Sequence, residues 1–390
     1  MASTHVVELT PAGRAAVAVV MVAGPEAVRV VSDCFVPVSK RPLADVARGR
    51  IVLGRWGGAE GEEIVVCRRA EDRIEIHCHG GTAAVQAIID RLKDRGCCQF
   101  SWQDWLRRSS SDALRAAAHV ALADAPTGCT AGVLLDQYHG AMSSAIQATL
   151  DAIAARDWAR SAEIVDDVLQ FRDVGLHLTT PWRVVLAGAP NVGKSTLINA
   201  LAGYNRAIVS TEPGTTRDVV TTRTAIEGWP VQLADTAGLR ETADELESAG
   251  VALTGAALRE ADLAIVVRDV SREGERAATR ENHIAQILAK LPKKVRIIHV
   301  HNKIDLLKSV ERRRVDKEAA IATSAVTGEG VADLVNAIAQ TLVPISPAAG
   351  TAVPFTVEQI AGLEAARMAI SRQDATAAES ALVALLGGEG

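Results

Sequence analysis

The sequence lacks any excess of positive charge: 42 lysines and arginines face 47 aspartates and glutamates, for a formal net charge of -5 and a pI of about 6.0. Such a surface is not the cationic sheath that grips nucleic acid by neutralising phosphates, so no DNA partner is expected and any RNA contact is local or shared. Paired-cysteine motifs are missing too. The six cysteines, at 34, 67, 78, 97, 98 and 129, include no CxxC pair, which argues against a zinc or disulfide framework and for reduced thiols in a cytoplasmic protein. Nor is there a long apolar run. The stretch Ala15 to Ala23 is about half the ~20 residues of a membrane-spanning helix and follows a polar start, so a buried strand is expected, with no membrane partner and no targeting segment. Internal repeats and long low-complexity tracts are absent.

What is present is length and periodicity. The 390 residues suit two to four domains at the usual ~100 to 200 residues each. Strand patterns at 15–22, 50–53, 63–68 and 73–78, then a helix at 82–95, predict an α+β domain over 1–100. Between 101 and 180 alanines, leucines and charges recur at three- and four-residue steps, which predicts helices. From 181 to 343 strand-like runs (183–187, 231–234, 263–267, 295–300, 320–323) alternate with helical ones, the signature of a parallel sheet with crossover helices. After Pro344 and Pro347 the stretch 344–390 returns to alanine-rich helix. The expected fold is therefore multidomain: an α+β N-terminal domain, a helical domain in two parts, and an α/β P-loop domain inserted between those parts.

GAPNVGKS at 188–195 follows the apolar strand Val184 to Ala187 and opens a helix, as a GxxxxGK[ST] phosphate loop requires. Gly188 and Gly193 let backbone N–H groups curl around phosphate oxygens, and the helix adds the positive end of its dipole. Lys194 neutralises the β and γ phosphates, and the Ser195 hydroxyl can ligate Mg²⁺. A chance glycine-rich turn would give this pattern in roughly one chain of this length in a hundred. NKID at 302–305 names the base, because the Asp305 carboxylate accepts from the paired N–H donors on the guanine edge, where adenine offers no such pair. A buried carboxylate left unpaired rejects the wrong base. Asn302 braces neighbouring loops and Lys303 lies along the base. SAVTGEG at 324–330, DTAG at 235–238 and GTTRD at 214–218 complete an ordered set. Gly238 presents its N–H to the γ-phosphate, and Thr216 closes the Mg²⁺ shell. The expected GTP/GDP contacts are Asn191, Val192, Gly193, Lys194, Ser195, Thr196, Ser210, Thr211, Glu212, Pro213, Gly214, Thr215, Thr216, Asp235, Thr236, Ala237, Gly238, Asn302, Lys303, Asp305, Ser324, Ala325 and Val326.

Leu239 stands where Ras-like GTPases place a water-orienting glutamine. Asp244, Glu245 and Glu247 follow, and by bottom-up argument alone they read as the acidic first turn of a helix. GAPNVGKSTLINALAG, AIVSTEPGTTRDV and DTAGLRETADELESAGV resemble the G domain of the MnmE (TrmE) family of tRNA-modification GTPases. The resemblance implies that Glu247 positions the hydrolytic water, with Lys194 and Gly238 completing the catalytic set. It further implies that K⁺ replaces an arginine finger, held by Asn191, Ser210, Glu212 and Thr215, and that two G domains of a homodimer meet to hydrolyse GTP. ELTPAGRAAVAVVMVAG at 8–24 and EIHCHGG at 75–81 resemble the family's N-terminal domain, which dimerises and binds formyl-tetrahydrofolate. Glu75 falls at a folate contact, Met21 stands where the family has an arginine, and the family's PGEF-like stretch is absent. The resemblance implies a role in wobble-uridine modification of tRNA with an MnmG-like flavoprotein partner; the family's C-terminal Cys-aliphatic-Gly-Lys signature is absent here, so that output is expected to be lost, altered or completed by a partner. The alternative is a divergent regulatory GTPase of the Era or Der kind; a purely structural protein with a dead nucleotide fold fits poorly with so many catalytic positions kept.

Overall fold

The computed structural model describes residues 3–11, 13, 15–58, 60–204, 221–235, 257–271, 288–289, 291–308, 312 and 319–387. The chain forms two compact units, Met1–Ser111 and Asp112–Gly390.

In the first unit alternation of apolar and polar residues produces a seven-stranded sheet. Its spatial order is β3 (Phe35–Pro37), β4 (Ile51–Trp56), β5 (Glu62–Arg68), β6 (Arg73–His79), β2 (Val17–Ala23), β1 (His5–Glu8), β7 (Cys98–Phe100), antiparallel throughout except for the β1–β7 pair. Strand β4 alternates exposed and buried residues along its length, so one face packs and the other meets solvent. The packed face, with Val52, Ile64, Val66, Ile74 and Ile76, lies under α1 (Ala27–Ser32) and α2 (Thr82–Lys93). Helix α2 buries Val85, Ile88, Ile89 and Leu92, the spacing of one helical stripe. Strand β2 is buried on both faces over most of its length. The reason is α3 (Trp102–Ser109), whose Trp102 and Trp105 pack with Phe100 on Val7, Met21 and Ala23. All six cysteines are free. Burial pushes the Cys78 thiol up to about 11, helped by the negative charges of Glu62 and Glu8, so it stays protonated at neutral pH.

The second unit begins with α4 (Ala113–Ala123), α5 (Gly128–Tyr138), α6 (Ala141–Ala154), α7 (Trp158–Leu169) and α8 (Arg172–Leu176). Asp112, Thr127 and Asp157 start α4, α5 and α7 by accepting a backbone N–H three residues on, which satisfies a donor the helix itself cannot. A six-stranded sheet follows in the sequence, ordered β13 (Ile321–Thr323), β12 (Arg296–Asn302), β11 (Leu263–Asp269), β8 (Trp182–Ala187), β10 (Trp229–Asp235), β9 (Thr221–Ile226). Every pair is parallel except β9 with β10. Helix α9 (Lys194–Tyr204) and α10 (Val331–Leu342) cover its core, and α11 (Val357–Ser371) and α12 (Ala375–Leu385) end the unit. Met142, Ile146, Val165 and Val168 of α6 and α7 share one cluster with Leu363, Ala366, Ile370 and Leu382 of α11 and α12. Arg367 grips Asp166 across this seam through two hydrogen bonds of 2.7 and 2.9 Å. Parallel strands all send their carboxyl ends to one edge of the sheet, and that edge holds the candidate site.

No helix among the described residues is long and apolar enough to cross a membrane.

Candidate functional site

Five strand ends converge. Strand β8 leads through residues 188–193 into α9, β10 ends on Asp235, β11 on Asp269, β12 on Asn302 and β13 on Thr323. Parallel register sets Asp269 beside Asn302, and Asn302 beside Thr323.

The loop after β8 is shaped by backbone that ordinary residues avoid. Asn191 has φ 65° and Gly193 φ 95°. A Cβ on Gly193 would lie 2.4 Å from Asn302 Nδ2, and one on Gly188 would lie 2.4 Å from the Val267 carbonyl, so both positions need glycine for close approach. Lys194 is buried, and its Nζ donates to the Gly188 and Ala189 carbonyls at 3.0 and 3.1 Å, which fixes the ammonium inside the curl of the loop. Ser195 Oγ donates to Asp235 Oδ2 at 2.5 Å. Thr196 is exposed in the first turn of α9, and Val192 is buried behind the loop.

Asn302, almost wholly buried, ties the site together. Its Nδ2 donates to the Val192 carbonyl at 2.9 Å, while Oδ1 accepts from the Ala325 N–H at 3.1 Å and the Thr323 hydroxyl at 3.3 Å. One side chain thereby sets the separation between the phosphate loop and the 324–330 turn. That turn is closed by the Gly328 N–H on the Ser324 carbonyl and by the Thr327 N–H on Ser324 Oγ. Val326 is 80% exposed, so this turn offers a ligand chiefly its backbone. Lys303 adopts φ 69° and sends Nζ to the Asn191 carbonyl at 2.6 Å and Asp269 Oδ2 at 2.7 Å.

Asp269 belongs to none of the recognised motifs. Burial raises the pKa of its carboxyl, but hydrogen bonds from Lys303 and Ser271 more than offset this and hold it below the usual aspartate value. It is the counter-ion that orients Lys303. The only signal in the sequence is an aspartate closing the apolar run 263–267 two residues on. Asp305 sits in a short 3₁₀ turn, Ile304–Leu306, and is exposed; the chain itself does not bury this carboxylate, contrary to the sequence expectation. Burial there requires a ligand lying over it. Ser210, Thr211, Glu212, Pro213, Gly214, Thr215, Thr216, Thr236, Ala237, Gly238 and Glu247 lie outside the described residues.

Comparison with known proteins agrees with this geometry. A family described as "GTP-binding protein TrmE N-terminus" matches residues 5–102, and one described as "50S ribosome-binding GTPase" matches residues 183–303. The "tRNA modification GTPase MnmE" of Moorella thermoacetica is 30% identical over 89% of this chain and 83% of its own length. The chain belongs to the MnmE family of tRNA modification GTPases. The MnmE of Methylorubrum populi is 35% identical over 84% of this chain and 78% of its own. That of Nitrosomonas eutropha is 37% identical over 67% of this chain, and the match spans 63% of that relative's length.

An MnmE-family G domain implies Mg²⁺, and the residues present fit it. Ser195 Oγ and the Asp235 carboxylate are adjacent hard oxygen donors beside the phosphate loop, the donor type this ion takes. Among the described residues no three His, Cys, Asp or Glu side chains converge. Of the four K⁺ positions only Asn191 is described; its side chain is exposed at the rim of the loop. The folate position fits poorly. Met21, opposite Glu75 in the sheet, is 2% exposed, lies under the α3 tryptophans and carries no charge. Glu75 Oε2 already accepts from Arg69 Nε at 2.7 Å, with His77 Nε2 3.4 Å away. No step is assigned to folate here.

Proposed function

We propose that this chain binds GTP with Mg²⁺ and hydrolyses it to GDP and phosphate, as the switch of a tRNA-modifying system. The observation that carries this reading is the double clasp of Asn302, which joins a phosphate loop to a base-facing turn beside Lys303 and Asp305. In the reaction Lys194 and the N-terminus of α9 gather charge from the β and γ phosphates, and the loop amides around Gly193 take the non-bridging oxygens. Mg²⁺, when bound, would be held by the Ser195 hydroxyl and the Asp235 carboxylate and would supply further positive charge at the phosphates. Asp305 pairs with the guanine edge, Ser324 and Ala325 present backbone to its O6, and Lys303, anchored by Asp269, lies along the ring. Glu247 aligns the attacking water, since Leu239 can neither accept nor donate a proton. Asn191, Ser210, Glu212 and Thr215 would hold K⁺, which would supply the positive charge that an arginine finger gives elsewhere, and two copies of the chain would meet through their G domains. The relatives' printed name, tRNA modification GTPase, supports an output on tRNA; wobble uridine is the position we assign, with an MnmG-like flavoprotein as partner. A second reading, a ribosome-associated switch, is favoured by the description of the family matching residues 183–303 alone.

The test is GTP turnover by purified protein in K⁺ against Na⁺ at several protein concentrations, with Glu247→Ala alongside. The reading expects turnover that is potassium-selective and rises with concentration, and a variant that binds GTP but no longer hydrolyses it. Turnover indifferent to cation and concentration, or a fully active Glu247→Ala, contradicts it.

A further inference from the structure

Only 12 of the 390 residues are Phe, Trp or Tyr, yet Phe100, Trp102 and Trp105 stand together at the start of α3. A helix that served only to cover Val7 and Met21 would bury its large rings. Neither Trp102, Trp105 nor Phe100 is fully buried, and no residue of α3 is. Phe100 and Trp102 also line a shallow, open cavity of about 420 Å³, within the range of ~300 to 1,000 Å³ typical of small-ligand sites. Two of the rings already have partners: Arg108 lies 4.8 Å over Phe100, whose ring also meets that of His5 at 4.5 Å, and Arg73 lies 5.0 Å over Trp105, which leaves Trp102 as the cavity's ring for a ligand. The remaining wall is polar, with Glu8, Gln99 and Gln103. The Gln99 and Gln103 amides have no protein partner among the described residues. The charge of the chain is also uneven. Residues 1–111 carry 15 Lys and Arg against 13 Asp and Glu, whereas residues 112–390 carry 27 against 34.

A ring to stack on, amides able to pair with a heterocycle's edge and an exposed arginine nearby make the combination by which proteins hold a splayed-out base. We infer that this cavity is an RNA subsite, in which one unpaired nucleobase stacks on Trp102 while Arg108, held over Phe100, meets a flanking phosphate. It deepens the proposed function and rests on the tRNA part of it. A folate's pterin is a planar ring with similar edges and its glutamate carboxylates could also meet Arg108, so the nucleobase is chosen on the tRNA reading on which this subsite rests, and the pterin is an outcome of the test.

The experiment is fluorescence anisotropy of a labelled anticodon stem-loop RNA with unmodified wobble uridine, titrated with the full chain in Mg²⁺ and GDP. Stacking is worth ~1 to 3 kcal/mol per base, so Trp102→Ala should weaken binding by about 5- to 150-fold and Trp102→Phe by about twofold or less. Arg108→Ala should weaken it and lower the salt-dependence slope by about one. Circular dichroism and melting of each variant confirm that the fold is intact. Wild-type affinity in both Trp102→Ala and Arg108→Ala overturns the subsite while leaving the proposed function standing. Absence of RNA binding by the wild-type chain overturns both the subsite and the tRNA reading, and GTP turnover then survives alone. Displacement of RNA by formyl-tetrahydrofolate, with Arg108→Ala unchanged, overturns the nucleobase in favour of a pterin.

Discussion

Lys303 and Asp269 show how a single contact sets a site. The lysine stands in a left-handed backbone conformation, and its ammonium is divided between the Asn191 carbonyl and the Asp269 carboxylate. Asp269→Asn removes the charge but keeps the shape, so Lys303 loses its anchor. GDP affinity by calorimetry should fall about tenfold, about 1.4 kcal/mol, with a stability loss smaller than the ~3 to 5 kcal/mol of a fully buried pair because Lys303 is partly solvated. Unchanged affinity would remove Asp269 from the site. The placement of Lys194, Ser195 and Asn302 together at one edge of the sheet was legible in the sequence because a fixed spacing carries it. Asp269 was not, since it lies 34 residues before Lys303 and only parallel register makes them neighbours. The exposure of Asp305 was equally hidden, because a motif specifies which atoms meet a ligand and says nothing of what covers them without it.

At the scale of elements, legibility followed length. Strand β4 and helix α2 are long enough to show a period, and both lie within a few residues of where alternation and the three-four spacing put them. Strands β3 and β7 have three residues each, too few to show one. Strand β9 was missed because Thr221 to Ile226 is polar at its start and pairs only with β10, at the edge of the sheet. The joining of elements distant in sequence is likewise invisible to pattern. Gln137 on α5 is 1% exposed; its amide donates to the Val133 and Thr351 carbonyls and accepts from the buried Val353 N–H. Gln137→Leu would strand those backbone groups without partners. Chemical denaturation should show a loss of about 2 to 3 kcal/mol, and a loss under 0.5 kcal/mol would mean that water replaces the amide.

Across the second unit as a whole, a histidine links the helices to the sheet at the end remote from the phosphate loop. His177 stacks on Trp182 with ring centres 3.6 Å apart, near Thr180, Asp262, Asp173 and Arg296. Burial holds its pKa below the ordinary histidine value, although Asp262, Asp173 and the Thr180 carbonyl pull upward; Arg296 adds to the lowering. Below about pH 6.5 the unfolded chain therefore binds a proton that the folded chain refuses, and stability falls as pH falls, by at most about 1.4 kcal/mol per pH unit for this group. His177→Phe keeps the stack and removes the proton. Its melting temperature, followed from pH 8 to 5.5, should drop less steeply than that of the wild type; parallel curves would contradict the assignment.

The most direct measurement is calorimetric titration of the full chain with GDP and with ADP in the presence of Mg²⁺, alongside Asp305→Asn. A site that rejects a base by leaving a hydrogen-bonding carboxylate unpaired discriminates by ~10⁴ or more. The account predicts tight GDP binding, ADP binding weaker by at least about a thousandfold, and a loss of that preference in Asp305→Asn. Equal affinity for the two nucleotides, or none for either, would contradict it.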